Sequence, residues 1–226
     1  MEAKNDSGQA FAQWLSSLTV MTGTQHAAKA WREHRYRFAH RLGDALAGAT
    51  HTAEAVSGPV IYGIWLEWGC LYVGQTTDAS RRLRDLPVGE SHHVATTFPP
   101  ETWDRIIVVT WPALPEANNL RADLDQKTIG LALEYKLQVR LNPLVNSWQR
   151  TRDGGWRAVE WQRSMSLGAR SAAAIGSLAD QVDALFDLAV NHEVGCTALP
   201  DSVRCVRPKQ FLTDKSALNS TPGGRY

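Results

Sequence analysis

The sequence has few cysteines, and their spacing excludes the common structural uses of that residue. Cys70, Cys196 and Cys205 form neither a C-x-x-C pair nor a cluster of metal ligands. We therefore expect reduced thiols in an intracellular protein. No apolar run is long enough to span a bilayer, and the N-terminus lacks a basic-then-apolar signal. These absences predict a soluble, cytoplasmic protein with no membrane partner.

The chain also lacks an excess of charge of either sign. Its 226 residues include 24 Lys and Arg against 23 Asp and Glu, so the formal net charge is +1. Proteins that coat nucleic acid without selectivity are usually strongly basic, and the balance argues against that class while allowing a local basic patch. The apolar fraction of 43% predicts an ordinary core.

Two short apolar segments separated by a tight turn predict a β-hairpin. Residues 60–65 and 70–75 are rich in β-branched and aromatic residues, and Leu66-Glu67-Trp68-Gly69 connects them. Residues 105–111 predict a third strand. Asp78 is a good N-cap for a helix that Pro87 ends.

Helices are predicted on both sides of this hairpin. Residues 24–47 carry an apolar stripe at helical spacing, and further helices are expected at 10–18, 115–141 and 169–191. Gly130 weakens the middle of the helix at 115–141 by roughly 1 kcal/mol relative to alanine and predicts a kink or break near there. The segment after Thr197 is expected to be extended or partly disordered. The predicted fold is α+β: a core at 57–148 with a small, three-stranded, mostly antiparallel sheet, and helical extensions at 1–56 and 149–226.

Several chemically active side chains lie on these elements in a suggestive order. Successive side chains alternate between the faces of a strand, so Tyr62 and Tyr72 are expected to approach each other across the hairpin. Gly74 lets the backbone leave the strand close to a ligand. The helix after Asp78 directs its N-terminal amides toward the same place, which suits a phosphate. Arg82 follows on that helix, and Glu134 lies on a later one.

This arrangement resembles the GIY-YIG nuclease family over residues 58–148. The first motif is altered to Val60-Ile61-Tyr62, and the second is Leu71-Tyr72-Val73-Gly74. Arg82 has the family's spacing after the glycine. Glu134, Pro143 and Asn146 have the spacing seen in the incision subunit of bacterial nucleotide-excision repair.

The resemblance implies DNA hydrolysis with one divalent metal, Mg²⁺ or alternatively Mn²⁺. Glu134 would hold the ion with several waters, and Arg82 would stabilise charge on the phosphate. Tyr62 or Tyr72 would orient or deprotonate the attacking water, with Tyr62 favoured as the base. Because a free tyrosine has a pKa of about 10, a cation must lower it. Asn146 would support the geometry by hydrogen bonds.

One position departs from the family pattern. Many members have a histidine or tyrosine four residues after the arginine, where this chain has Leu86. Leucine can neither shuttle a proton nor hydrogen-bond a phenol. His92 and His93, in the next loop, are candidates to replace it. If neither does so, the domain would be slow or inactive.

Two basic sets flank the core, and each is either a solvated surface or a contact with DNA. The first is on the helix at 24–47, and the second follows the core with Trp148, Trp156 and Trp161 interleaved. The sets are Lys29, Arg32, Arg37 and Arg41, and Arg150, Arg152, Arg157 and Arg163. Gly74 is a further candidate nucleic-acid contact.

The compact form is similar to type II restriction enzymes of the family. This similarity implies a partner of double-stranded DNA, a homodimer with two sites related by a two-fold axis, and a cognate methyltransferase acting on the same sequence. Three alternatives remain open: a repair or structure-specific nuclease, a degenerate domain that only binds DNA, and a protein-interaction domain. The near-zero net charge and nine tryptophans suit the last of these.

Overall fold

A computed structural model describes most of the chain. The described residues are 23–50, 53–89, 94–146, 166–192 and 198–212, together with Ala12, Leu15 and Ser16. The helix predicted at 10–18 thus lies largely outside them. Within these ranges the fold is α+β, as predicted. No helix in the described ranges combines the length and apolarity needed to cross a membrane.

A four-stranded antiparallel sheet forms the centre of the fold. The strands are β1 (Val60–Leu66), β2 (Gly69–Thr76), β3 (Arg105–Val109) and β4 (Val203–Val206), in the order β2-β1-β3-β4. The three expected strands are present, but the prediction of a three-stranded sheet was wrong because the C-terminal segment adds β4. The four residues of β4 are too few to give a clear period-two pattern in the sequence, and the strand is stabilised by its pairing with β3.

Local capping fixes the first two helices. Helix α1 (Gln25–Ala47) begins after Thr24, whose hydroxyl accepts a hydrogen bond from the Ala27 amide at 3.1 Å. Helix α2 (Ala79–Asp85) begins after Asp78, whose carboxylate accepts from the Arg81 amide at 3.2 Å. Both match the predicted helices. A single turn, α3 (Val94–Thr97), follows.

The later helices are shorter than predicted. A 3₁₀ turn at Pro115–Asn119 is separate from helix α4 (Gln126–Leu141), because Asp125 caps a new helix by accepting from the Thr128 amide at 2.7 Å. The break therefore lies before α4, and the expected kink at Gly130 is absent. The helix expected at 169–191 is divided into α5 (Leu167–Ser171) and α6 (Gly176–Asn191) by a 3₁₀ turn.

Helices cover both faces of the sheet and create two cores. On one face α1 and α2 pack on Tyr62, Ile64 and Ile106. On the other, α4 and α6 pack on Ile61 and Ile107. Helix α4 also runs beside the edge strand β2. Groups from the first face and from α4 can therefore meet where the sheet ends at β2.

Candidate active site at the sheet edge

The hairpin register places both tyrosines on one face of the sheet. Tyr62 pairs with Gly74, and Ile64 pairs with Tyr72. Tyr72 lies two residues before Gly74, so its side chain emerges on the same face as that of Tyr62. The two rings stack with centroids 6.1 Å apart and an interplanar angle of 30°. Tyr62 is fully buried, and Tyr72 is 9% exposed.

Gly74 provides the space for the two phenols. A Cβ atom at this position would lie 2.6 Å from Cε1 of Tyr72 and 2.7 Å from the hydroxyl oxygen of Tyr62. Carbon atoms pack without strain at about 3.5–4.0 Å. Any side chain at this position would therefore displace the phenols. The requirement for glycine here is steric and does not arise from its backbone dihedrals.

Arg82 and Glu134 act electrostatically on both phenols. Burial has the largest effect on the pKa of Tyr62, Tyr72 and Glu134 and raises all three. The positive charge of Arg82 lowers each of them, and the negative charge of Glu134 raises the pKa of both tyrosines. Coulomb effects of this kind require groups that lie close together. The structure thus brings Tyr62, Tyr72, Arg82 and Glu134 into one neighbourhood.

Burial keeps the phenols neutral. It raises the pKa of Tyr62 to about 12, against the opposing effect of Arg82, and raises the pKa of Tyr72 further still. The lowered phenol pKa that the sequence suggested is therefore not reached with Arg82 alone. The hydroxyls influence each other's pKa, yet the Tyr62 hydroxyl has no hydrogen bond of standard geometry within the described part of the chain. A strained contact, a catalytic role or a bound water each explains a buried polar atom in that state.

Glu134 is a half-buried carboxylate held by its own helix. Burial raises its pKa from 4.5 to about 7, with Arg82 opposing the change. The Gln138 amide nitrogen donates to its Oε1 at 3.1 Å. Gln138 belongs to no sequence motif, and its signal is a spacing of four residues from Glu134 on one helix. One turn before Glu134, Gly130 lies against Gln75, and a Cβ there would lie 2.7 Å from Oε1 of Gln75.

Asn146 secures the outer edge of β2. Its Oδ1 accepts from the Val73 amide at 3.1 Å, and its Nδ2 donates to the Val73 carbonyl. The amides of Leu144 and Val145 donate to the carbonyls of Cys70 and Leu71, each at 3.0 Å. This segment covers polar groups that an edge strand would otherwise leave open. Asn146 is thus a positioning residue for the strand that carries Tyr72 and Gly74.

The donor set fits a hydrated magnesium ion. Mg²⁺ keeps several waters and is bound through one or two carboxylates together with substrate phosphates. Glu134 supplies one such carboxylate, and a nearby cation would offset the burial that disfavours its ionised form. A cage of three or more His, Cys, Asp or Glu side chains does not occur in the part of the chain that the structure describes. Glu134 is thus the carboxylate through which a hydrated Mg²⁺ would be held.

The position that departs from the family pattern is part of the core. Leu86 is fully buried beside Leu83 and Phe38. It packs between α2 and α1 and has no polar role. His92 and His93, its candidate replacements, lie outside the described residues.

The basic set on α1 is divided in the folded protein. Lys29, Arg32 and Arg37 are exposed, and Nζ of Lys29 lies 3.9 Å from Oε1 of Glu33. Arg41 is half-buried, and its Nη2 donates to the Phe211 carbonyl at 3.3 Å. The second basic set (Arg150, Arg152, Arg157 and Arg163) and its interleaved Trp148, Trp156 and Trp161 lie outside the described residues.

Comparison with protein-family models, with curated proteins and with solved structures gave no match. The site is therefore interpreted from its own residues.

Proposed function

We propose that this protein is a metal-dependent DNA endonuclease with a site of the GIY-YIG type, acting on duplex DNA in restriction or defence. The observation that supports the proposal best is the meeting of four groups at the edge of β2. Two stacked phenols, a guanidinium and a half-buried carboxylate come from four separate segments of the chain. Such a set matches what phosphodiester hydrolysis requires, which is charge stabilisation and an oriented water.

Each residue has a distinct task in this mechanism. Arg82 binds non-bridging phosphate oxygens and stabilises the negative charge that develops on them. The Tyr62 hydroxyl orients the attacking water, with the Tyr72 hydroxyl beside it. Tyr62 takes a proton from that water only when positive charge at the phosphate has lowered its pKa from about 12. A divalent cation such as Mg²⁺, held by Glu134, would supply that additional charge.

The direct test is cleavage of supercoiled plasmid with Mg²⁺ or Mn²⁺. We expect Glu134→Ala and Arg82→Ala to lower the cleavage rate by at least about 100-fold, with DNA affinity measured separately by fluorescence anisotropy. Arg81→Ala and Glu67→Ala are matched controls, because both side chains are exposed. Equal rates for the Arg82 and Arg81 variants would contradict the assignment. Discrete fragments would support restriction, whereas nicks or smears would support a repair or structure-specific nuclease.

Restriction of a palindromic site implies a homodimer, because two strands need two sites related by a two-fold axis. Sedimentation of the protein with and without DNA tests whether it forms this dimer. A methyltransferase acting on the same sequence is the partner expected in that role. It should protect the DNA from cleavage.

A second candidate is a domain that binds DNA without cutting it. The buried Leu86 favours this alternative, because it leaves no proton-transferring side chain at that position. Here the protein would shift the mobility of DNA in gels, and plasmid would remain intact with every divalent metal. Affinity should still fall steeply with salt. A protein-interaction domain would show no such salt-dependent affinity.

A further inference from the structure

An exposed tyrosine lies in a shallow depression on α1, a helix that carries none of the candidate catalytic residues. The described residues that line it are Arg32, Glu33, Tyr36 and Arg37. Tyr36 is 54% exposed. Its ring is held edge-on by His40, with ring centroids 4.1 Å apart and an interplanar angle of 72°. The aromatic face is thus accessible and oriented by a neighbour on the same helix.

The surroundings of Tyr36 are electropositive. The acidic Glu33 lies 3.9 Å from Lys29, so its charge is balanced within the helix. Arg32 and Arg37 are exposed and line the same depression as the ring. The nearby His34 has a lowered pKa, first because of burial and then because of the positive charges of Arg37, Arg41 and Arg35. An anionic ligand would therefore be attracted to this part of α1.

The exposed face of α1 connects the depression to the helix that carries Arg82. Tyr36, His40 and Asp44 succeed one another at intervals of four residues and so share a face. Asp44 Oδ1 accepts from Nε of Arg84 at 3.4 Å, and Arg84 lies on α2. Eight residues of helix separate Tyr36 from Asp44, which corresponds to a distance of about 12 Å along the helix axis. Tyr36 therefore lies about two helical turns from the point where α1 contacts the helix that carries Arg82.

We propose that Tyr36 is a stacking platform for an unpaired DNA base, with the adjoining phosphates bound by Arg32 and Arg37. This inference rests on the proposed nuclease function and adds to its duplex substrate a further class, duplex DNA with an adjoining single-stranded segment. Aromatic side chains beside cationic groups are the usual means of holding single-stranded DNA, because every base presents a face for stacking. A blunt duplex offers no such face.

The test is fluorescence anisotropy of the full chain in EDTA, which prevents cleavage. The probes are a dye-labelled blunt duplex and the same duplex with a single-stranded overhang. Tyr36→Leu removes the ring, Tyr36→Phe keeps it, and Trp68→Leu changes another aromatic residue that is 76% exposed.

We expect Tyr36→Leu to weaken overhang binding about tenfold and to leave blunt-duplex binding unchanged. Tyr36→Phe and Trp68→Leu should match the unsubstituted chain. Arg32→Gln with Arg37→Gln should reduce the salt slope for the overhang by about 1.4, since each phosphate contact on a single strand contributes about 0.7.

The inference would be overturned if Tyr36→Leu bound the overhang probe with an affinity within twofold of that of the unsubstituted chain, whatever the plasmid assay shows. An equal loss in Trp68→Leu would do the same. Overhang-dependent binding without cleavage would leave this site standing and reject the proposed catalysis. Loss of self-association in Tyr36→Leu, with DNA affinity unchanged, would assign the surface to a second copy instead.

Discussion

Glu134 is the residue at which burial and charge compete most directly. Burial raises the pKa of its carboxyl from 4.5 to about 7, while Arg82 works in the opposite direction. Since the folded pKa is above the unfolded one, the carboxyl favours the folded state most below pH 4.5. That contribution is lost as the pH rises toward about 7. Above this pH the protein holds a partly buried negative charge, a stability cost that is common at functional sites.

The first prediction follows from this cost. Glu134→Gln keeps the shape of the side chain and removes the ionisation. Relative to the unsubstituted protein, its free energy of unfolding should increase by roughly 2 kcal/mol between about pH 5 and about pH 8. Urea unfolding at the two pH values measures this difference. Glu67→Gln, at an exposed position, is the matched control for the same change of side chain. A Glu134→Gln variant that is equally destabilised at both pH values would show that the carboxylate is not held against burial.

At the scale of elements, a single arginine joins α1 to β4. Arg204 Nη1 donates to the carbonyls of Ala45, Leu46 and Gly48, and Nη2 donates to the Glu54 carbonyl at 2.6 Å. The last carbonyls of a helix have no partner within the helix. Arg204 satisfies them and at the same time fixes the C-terminal strand against the N-terminal helix. Burial lowers its pKa, but it remains charged.

We therefore predict that Arg204→Met is strongly destabilising. Methionine keeps much of the apolar stem but leaves several carbonyls without a donor, at a cost of about 2–4 kcal/mol. Arg84→Met is the matched control, because Arg84 also contacts α1 but through an exposed pair with Asp44. Such pairs contribute about 0–1 kcal/mol. Chemical unfolding of both variants measures the loss in the free energy of unfolding. Similar losses in the two variants would contradict the role given to Arg204.

At the scale of the whole molecule, the chain closes its sheet with its C-terminal part. Strand β4 covers β3, pairing Val203 with Val109 and Val206 with Ile106. Val203 packs into the core beneath α4 and α6, and Val206 into the core beneath α1 and α2. Both layers thus depend on a strand of four residues.

A chain ending at residue 199 should lose cooperative folding. It lacks β4 and Arg204, so the hydrogen-bonding edge of β3 is exposed, which favours aggregation. We expect its thermal transition to be lost or lowered by more than about 10 °C. A chain ending at residue 212 keeps both features and should retain the full transition. Circular dichroism and light scattering provide the measurements. An unchanged transition in the shorter chain would show that β4 is dispensable.

The contrast between α1 and α4 shows what local sequence can predict. The apolar stripe of α1 repeats over about four turns, from Trp31 to Leu46. Thr24 marks the start of the helix, so its existence and limits follow from the sequence. At α4, leucines before the helix continue the periodic pattern, and only the Asp125 cap separates helix from turn. Gly130 does not kink α4, because its missing side chain makes room for Gln75 and tertiary packing outweighs propensity.

The sequence by itself determined the hairpin, the capped helix after it and the order of Tyr62, Tyr72, Gly74, Arg82 and Glu134. These depend on turn residues, caps and periodicity, which act over a few positions. Only the tertiary structure decided that β4 completes the sheet, that Leu86 is core and that the phenols are buried enough to stay neutral. Burial and strand pairing depend on segments distant in sequence, and their effect on a pKa arises only when water is excluded.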